Sequence, residues 1–255
     1  MFRDATLIFR NEFLLARRSP ARMGLEIAQP LTWLLLFAPL MVGVMKDSPD
    51  FLSGSAWMVM TPAITIYLVL MGSAFAGYKL LSDLGTGVLE RMRVTPASRT
   101  ALLLGSVMMR VLQTALQSMM VFLVAWILFD LQITVVGTLL TLAVGALLTL
   151  ALTSCSITVA LLAKNEPIFT TMISTGLLPL TLLSGILMPI TPGLAPEWLY
   201  VLSRFNPLTW VADLARATFT GYYAFQPVVI GGVILVAMTV LSIWWGTRTF
   251  NREIV

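Results

Sequence analysis

The chain reads as an all-α membrane protein, with six transmembrane helices, an N-terminal amphipathic interfacial helix and a re-entrant outer segment between spans five and six. Three observations predict it. Hydrophobic residues make up 58% of the 255 and charged residues only 11%, against roughly 25% charged in soluble domains. Six apolar runs, at 27–45, 56–77, 101–129, 134–163, 168–190 and 227–247, approach or exceed the roughly 20 helical residues that cross a hydrocarbon core. The basic residues, finally, gather in alternate connections.

Residues 1–22 carry charge throughout and lack the compact apolar stretch of a cleavable signal peptide. Phe2, Phe9 and Phe13 share one helical face beside Arg3, Arg10 and Arg17, which suits a helix lying in the interface. A plain basic leader that orients the first span is the simpler alternative. Ser19-Pro20 breaks this helix and turns the chain into the first span, 27–45. Loop 46–55 is short and polar, so spans one and two form a hairpin.

Span two, 56–77, leads to the one dense charged stretch between long apolar runs, Ser82 to Arg99, with Asp83, Glu90, Arg91, Arg93 and Arg99. Such an island either fixes topology or offers a handle to a soluble partner. Span three, 101–129, then places Ser106, Arg110, Gln113 and Gln117 at i, i+4, i+7 and i+11, within about 60° of one helix face. Arg110 at the bilayer centre costs roughly 2.5–3.5 kcal/mol on insertion scales, so it must face protein or a wet cavity.

Asp130 to Thr134 makes a tight turn into span four, 134–163, where Thr134, Thr138, Thr141 and Gly145 share a face. Lys164 to Pro167 makes another into span five, 168–190, where Thr170, Ser174, Thr181 and Ser184 do the same around Pro179. These polar stripes are either a weakly polar path or helix–helix glue. From 189 to 226 prolines at 189, 192, 196 and 207 break the pattern, and two short helices fit, Pro196–Phe205 and Pro207–Phe219. In the second, Leu208, Val211, Ala212, Ala215 and Phe219 keep helical spacing, and Asp213 and Arg216 are placed to pair. Span six, 227–247, closes the bundle.

With the N-terminus inside, Arg3, Arg10, Arg17, Arg18, Arg22, Lys79, Arg91, Arg93, Arg99, Lys164, Arg248 and Arg252 fall on the cytoplasmic side, and only Lys46, Arg204 and Arg216 outside. That predicts a multi-pass protein of the cell (inner) membrane with both termini cytoplasmic, and it turns the net charge of +4 away from nucleic acid. The chain has no histidine, one cysteine and no G-x-x-x-x-G-K-[ST], so histidine triads, histidine metal sites and a nucleotide-binding loop of its own are excluded. No span pairs carboxylates as a proton relay would. Any uphill work therefore draws energy from another subunit.

The run Gly85–Gly105, GTGVLERMRVTPASRTALLLG, resembles the first cytoplasmic loop of ABC-2 type exporter permeases, the group with daunorubicin-resistance and nodulation-factor permeases. Leu183–Arg216 resembles the same family's carboxy-terminal pattern in Ser184-Gly185, Pro189, Pro207-Leu208 and Arg216. Trp210 departs from the polar or basic residue usual at its position.

The resemblance implies a single transmembrane domain over 1–255, with an interfacial helix at 1–25, a coupling loop at 78–100 and an outer helical cap at 189–226. It implies a permease subunit without catalytic residues, metal or cofactor of its own, with ATP and Mg bound by two cytoplasmic ABC ATPase subunits. A second permease copy, as a homodimer or a related chain, would complete the assembly. Asp83, Leu89, Glu90, Arg91, Met92 and Arg93 would contact the ATPase, with Leu89 and Met92 as apolar anchors. Ser106, Arg110, Gln113, Gln117, Thr170, Ser174, Thr181 and Ser184 would line the translocation path. Amphipathic drug-like or lipid-like compounds are the expected cargo. A glycan or lipo-oligosaccharide exporter, a non-transporting scaffold and a membrane-embedded enzyme remain the alternatives.

Overall fold

The chain is described by a computed structural model over residues 10, 14, 24, 28–45, 56–85, 99–131, 133–191 and 195–253. The interfacial-helix expectation for 1–25 falls almost wholly outside these residues. Among them every regular element is helical. A π-helical stretch, Trp33–Phe37, leads into α1 (Ala38–Met45). Then come α2 (Ala56–Ala74), α3 (Gly77–Gly85), α4 (Arg99–Phe129), α5 (Val135–Ala163), α6 (Glu166–Leu182), α7 (Glu197–Phe205), α8 (Pro207–Thr220) and α9 (Phe225–Glu253).

Four stretches are long and apolar enough to cross a membrane: Ala56–Ser82, Gly105–Phe129, Val135–Ala163 and Phe225–Thr249. The protein is thus a multi-pass membrane protein. The first apolar helix, Ala28–Met41, is shorter, and α6 has 17 residues, about 25 Å at 1.5 Å per residue. Span five was expected to run to 190, but its helix stops at Leu182. Side chains of α8 and its N-cap take carbonyls near and beyond the stop. Asn206 donates to Leu180 O at 2.7 Å, Thr209 to Leu183 O at 3.1 Å, and Arg216 to Gly185 O at 2.6 Å and Ile186 O at 3.1 Å. With Gly185 at φ +63°, the backbone turns rather than winds on.

Local chemistry sets the other boundaries. Thr134 caps α5 by accepting from Gly137 N at 3.2 Å, and Lys164 in a left-handed conformation closes it. Pro196 is the N-cap of α7 and Pro207 opens α8, where a missing N–H costs little. The two short helices match their expected bounds within a residue.

Helix α5 is the hub, packed against α2, α3, α4, α6, α8 and α9. The main core joins Ile66, Val69 and Leu70 of α2, Val144 and Leu148 of α5, Leu208, Val211, Ala212 and Ala215 of α8, and Leu235 of α9. All five expected apolar positions of α8 are buried. A second core joins Leu34 and Ala38 to α2, α4 and Phe219. Between helices the glue is hydroxylic: Thr141 meets Thr218 and Thr114 meets Thr149, each at 3.0 Å. The Thr141 contact places the span-four stripe at a helix–helix seam.

Candidate functional site

The second apolar stretch is broken. Helix α2 ends at Ala74 and α3 begins at Gly77, with Phe75 and Ala76 as a turn between them. No proline causes it. The turn replaces α-helical pairing with three tighter bonds: Ala76 N to Ser73 O at 3.2 Å, Tyr78 N to Phe75 O at 3.2 Å and Lys79 N to Ala76 O at 3.4 Å. Three other backbone groups at the break take side-chain partners from neighbouring helices. Arg110 of α4 donates to Gly72 O. Ser156 of α5 donates to Ala74 O at 2.6 Å and accepts from Gly77 N at 2.9 Å. Irregular backbone inside a membrane protein persists only where protein or water satisfies it, and here protein does.

Below the break α3 lies close on α5. A Cβ at Gly77 would stand 2.6 Å from Ser156 O, 2.8 Å from Ala160 Cβ and 2.9 Å from Phe169 Cε2, so only glycine allows this approach. The Tyr78 ring meets Phe169 edge-on at 5.0 Å, and its hydroxyl pairs with that of Thr170. Leu81, Ala160 and Phe169 form a small core around the joint. Helix α3 thus connects α5 and the start of α6 to the charged stretch that follows Gly85.

The sequence-predicted residues divide into three groups. Leu89, Glu90, Arg91, Met92 and Arg93 lie outside the described residues, and of Asp83 only the backbone is described, as part of α3. Ser106, Arg110, Gln113 and Gln117 share one half-buried stripe of α4, and Arg110 also reaches Gln113 Oε1 at 3.4 Å. The more deeply buried polar face of that helix is Thr114 and Ser118, absent from the predicted set.

In α6, Thr170 donates to Glu166 O and Thr181 to Leu177 O, each at 2.7 Å, and Ser184 beyond it donates to Thr181 O at 2.6 Å. Ser174 is exposed, while Thr181 and Ser184 are buried. The predicted span-five set is therefore not one continuous open face of the single chain.

A second polar cluster joins α7, α8 and the 183–190 segment. Asp213 is held by Arg204 at 2.9 Å and by Arg216 at 3.3 Å. The expected Asp213–Arg216 pair is present; Arg204 is the member that spacing missed. Its guanidinium lies 5.0 Å from both the Tyr200 and Trp210 rings, and Trp210 Nε1 donates to Arg204 O at 3.0 Å. Among the described residues no group of histidine, cysteine or carboxylate side chains is placed to hold a metal.

Ser156, Gly77 and Tyr78 also escaped sequence reasoning. The available signal was Gly72 and Gly77 flanking the end of an apolar run; the serine partner, far along the chain, carries no local signature.

Comparison with known proteins adds the rest. A family model for ABC-2 type transporters matches residues 4–220. The ycf38 protein of Cyanophora paradoxa, a candidate transport permease by its name, is 26% identical over 220 residues, 84% of this chain and 73% of its own. Its namesake from Porphyra purpurea is 24% identical over 224 residues, covering 86% and 75%. The daunorubicin resistance ABC transporter permease protein DrrB1 of Streptomyces coeruleorubidus is 27% identical over 226 residues, covering 86% and 75%.

Proposed function

Because the chain belongs to the ABC-2 type transporter family, we propose that it is the membrane-spanning permease subunit of an ATP-driven exporter of amphipathic drug-like or lipid-like compounds. The observation that carries this is the family match over 4–220, which takes in the charged stretch, the polar stripes and the α7–α8 pair. In this reading the chain crosses the inner membrane six times with both termini in the cytoplasm. Two copies assemble with two ABC ATPase subunits, which bind the ATP and Mg that this chain has no loop to hold.

The 78–100 region docks on the ATPase through Asp83, Leu89, Glu90, Arg91, Met92 and Arg93. Closure of the ATPase pair then drives the bundles between inward- and outward-facing states. Ser106, Arg110, Gln113 and Gln117, together with the α6 hydroxyls, belong to the path. Ser174, exposed in the single chain, would face a second copy or the cargo.

Two features support a re-entrant α7–α8. Leu208 at the start of α8 packs with the middle residues of α2 and α5, whereas Thr218 at its end meets Thr141 near the start of α5. This course of α8 suits a helix pair that dips into the bundle and returns.

Co-purification after expression with neighbouring genes, followed by ATPase assay against a panel of amphipathic compounds, tests the reading. A stoichiometric ATPase whose turnover rises with compound is the expected result. Absence of any ATPase partner would overturn it in favour of a scaffold.

A further inference from the structure

We propose that Ser156 is a positioning residue, the clamp on a hinge at Phe75–Ala76 about which α3 swings as a lever between the 78–100 region and α6. The inference rests on the permease reading above.

The argument starts from what the hydroxyl does. Thr141, Thr149 and Thr158 of the same helix each donate to the carbonyl four residues earlier, at 2.8, 2.8 and 2.7 Å. That is the usual resting place for a hydroxyl in an apolar helix. Ser156 instead reaches across to both broken ends of a neighbouring helix, Ala74 O and Gly77 N. A single χ1 rotation would return it to its own helix, to the kind of carbonyl that Thr141, Thr149 and Thr158 use, although Thr153 and Ser154 beside it make no such bond. It therefore has two satisfied positions, one clamping the break and one releasing it, so release strands no hydroxyl in the apolar interior.

Each side of the break has its own anchor. Above it, Ile66, Val69 and Leu70 fix α2 in the main core. Below it, α3 holds to α6 through Tyr78 with Phe169 and Thr170, and to the small core of Leu81, Ala160 and Phe169. Force applied beyond Gly85 would thus turn α3 about residues 75–76 and drag the start of α6, leaving α2 still. A continuous helix would transmit the same force to α2 and its core. Irregular turns inside helical elements are where such movements concentrate.

The test uses the full chain in complex with its ATPase in nanodiscs, in a Cys155→Ser background. Spin labels at Lys79→Cys and Lys164→Cys report α3 against α5, and labels at Ala56→Cys and Val136→Cys report the far ends of α2 and α5. On trapping nucleotide the first distance should shift and the second stay fixed. Ser156→Ala removes two hydrogen bonds from the clamped state and one from the released state, a net loss of one that shifts the clamped-to-released ratio about 2- to 13-fold. Its nucleotide-free distance distribution should already shift toward that of the trapped wild type, and transport per ATP should fall while basal ATPase holds.

If both pairs shift together, if neither shifts during turnover, or if Ser156→Ala leaves the nucleotide-free distribution unchanged, the hinge is refuted while the permease reading stands. Failure of any ATPase to associate with the wild type overturns the permease reading, and the hinge with it. Should Ser156→Ala not accumulate, the two wild-type distances decide alone.

Discussion

Replacing Gly77 with alanine isolates the close approach of α3 to α5. The new methyl would stand 2.6 Å from a backbone carbonyl oxygen and 2.8 Å from a Cβ, neither of which can rotate away. Only the third neighbour, Phe169 Cε2 at 2.9 Å, belongs to a movable side chain, and Phe169 is itself fully buried. Overpacking of this kind costs about 1–3 kcal/mol. Gly232, within α9, supplies the control, because a Cβ there meets nothing within 4 Å. Alanine at Gly232 should stabilise by about 0.5–1 kcal/mol through helix propensity alone.

The two variants differ by one methyl each, so their separation, about 1.5–4 kcal/mol, reads packing and not hydrophobicity. Equilibrium unfolding in mixed detergent micelles, followed by circular dichroism, measures it. Equal stability of Gly77→Ala and wild type would mean that α3 does not lie against α5 as described, and the connection from the charged stretch to α6 would lose its basis.

Other outcomes follow from the same geometry. Arg216→Met should destabilise by about 1.5–3 kcal/mol, because it removes charged donors to Gly185 O and Ile186 O, and detergent unfolding reads the loss. Arg204→Lys keeps the Asp213 charge pair but weakens the guanidinium's cation–π contacts with Tyr200 and Trp210; a loss of about 0.5–1 kcal/mol is expected from the same assay, and none would deny those contacts a role. Glu90→Lys with Arg91→Glu should abolish ATPase co-purification while membrane insertion stays intact; normal recovery of the ATPase would remove the 78–100 region from the coupling role. Arg110→Ala should lower compound-stimulated ATPase at equal expression, and unchanged stimulation would confine Arg110 to bonding Gly72 O.

Much of the architecture was legible because membranes make few demands and make them strictly. Length and hydropathy located the long helices, and local turn chemistry at Thr134, Lys164, Pro196 and Pro207 set their ends within a residue or two. Spacing found Asp213 with Arg216 for the same reason: one turn of helix decides it. What escaped was decided by contacts between distant residues. Leu182 ends its helix because Asn206, Thr209 and Arg216 claim the carbonyls near and beyond it. The break at 75–76 exists because Ser156 and Arg110 stand ready to satisfy it. Arg204 joins its cluster from another helix, and the π-helical turn at Trp33–Phe37 has no local signature to betray it.

The hydroxyls have a bearing on how such a chain is made. Thr61, Thr65, Thr141, Thr149, Thr158 and Thr239 all bond a carbonyl four residues back, so each carries its partner within its own helix. Helices of that kind can leave a translocon singly and wait in lipid. The broken helix cannot wait in its final shape, because residues 72–77 emerge from the ribosome before Arg110 and long before Ser156. Until those helices arrive, the cheapest state for residues 56–85 is one straight helix. The bend then forms late in biogenesis, and a nascent chain truncated before residue 156 would present a continuous rod where the finished protein has a joint.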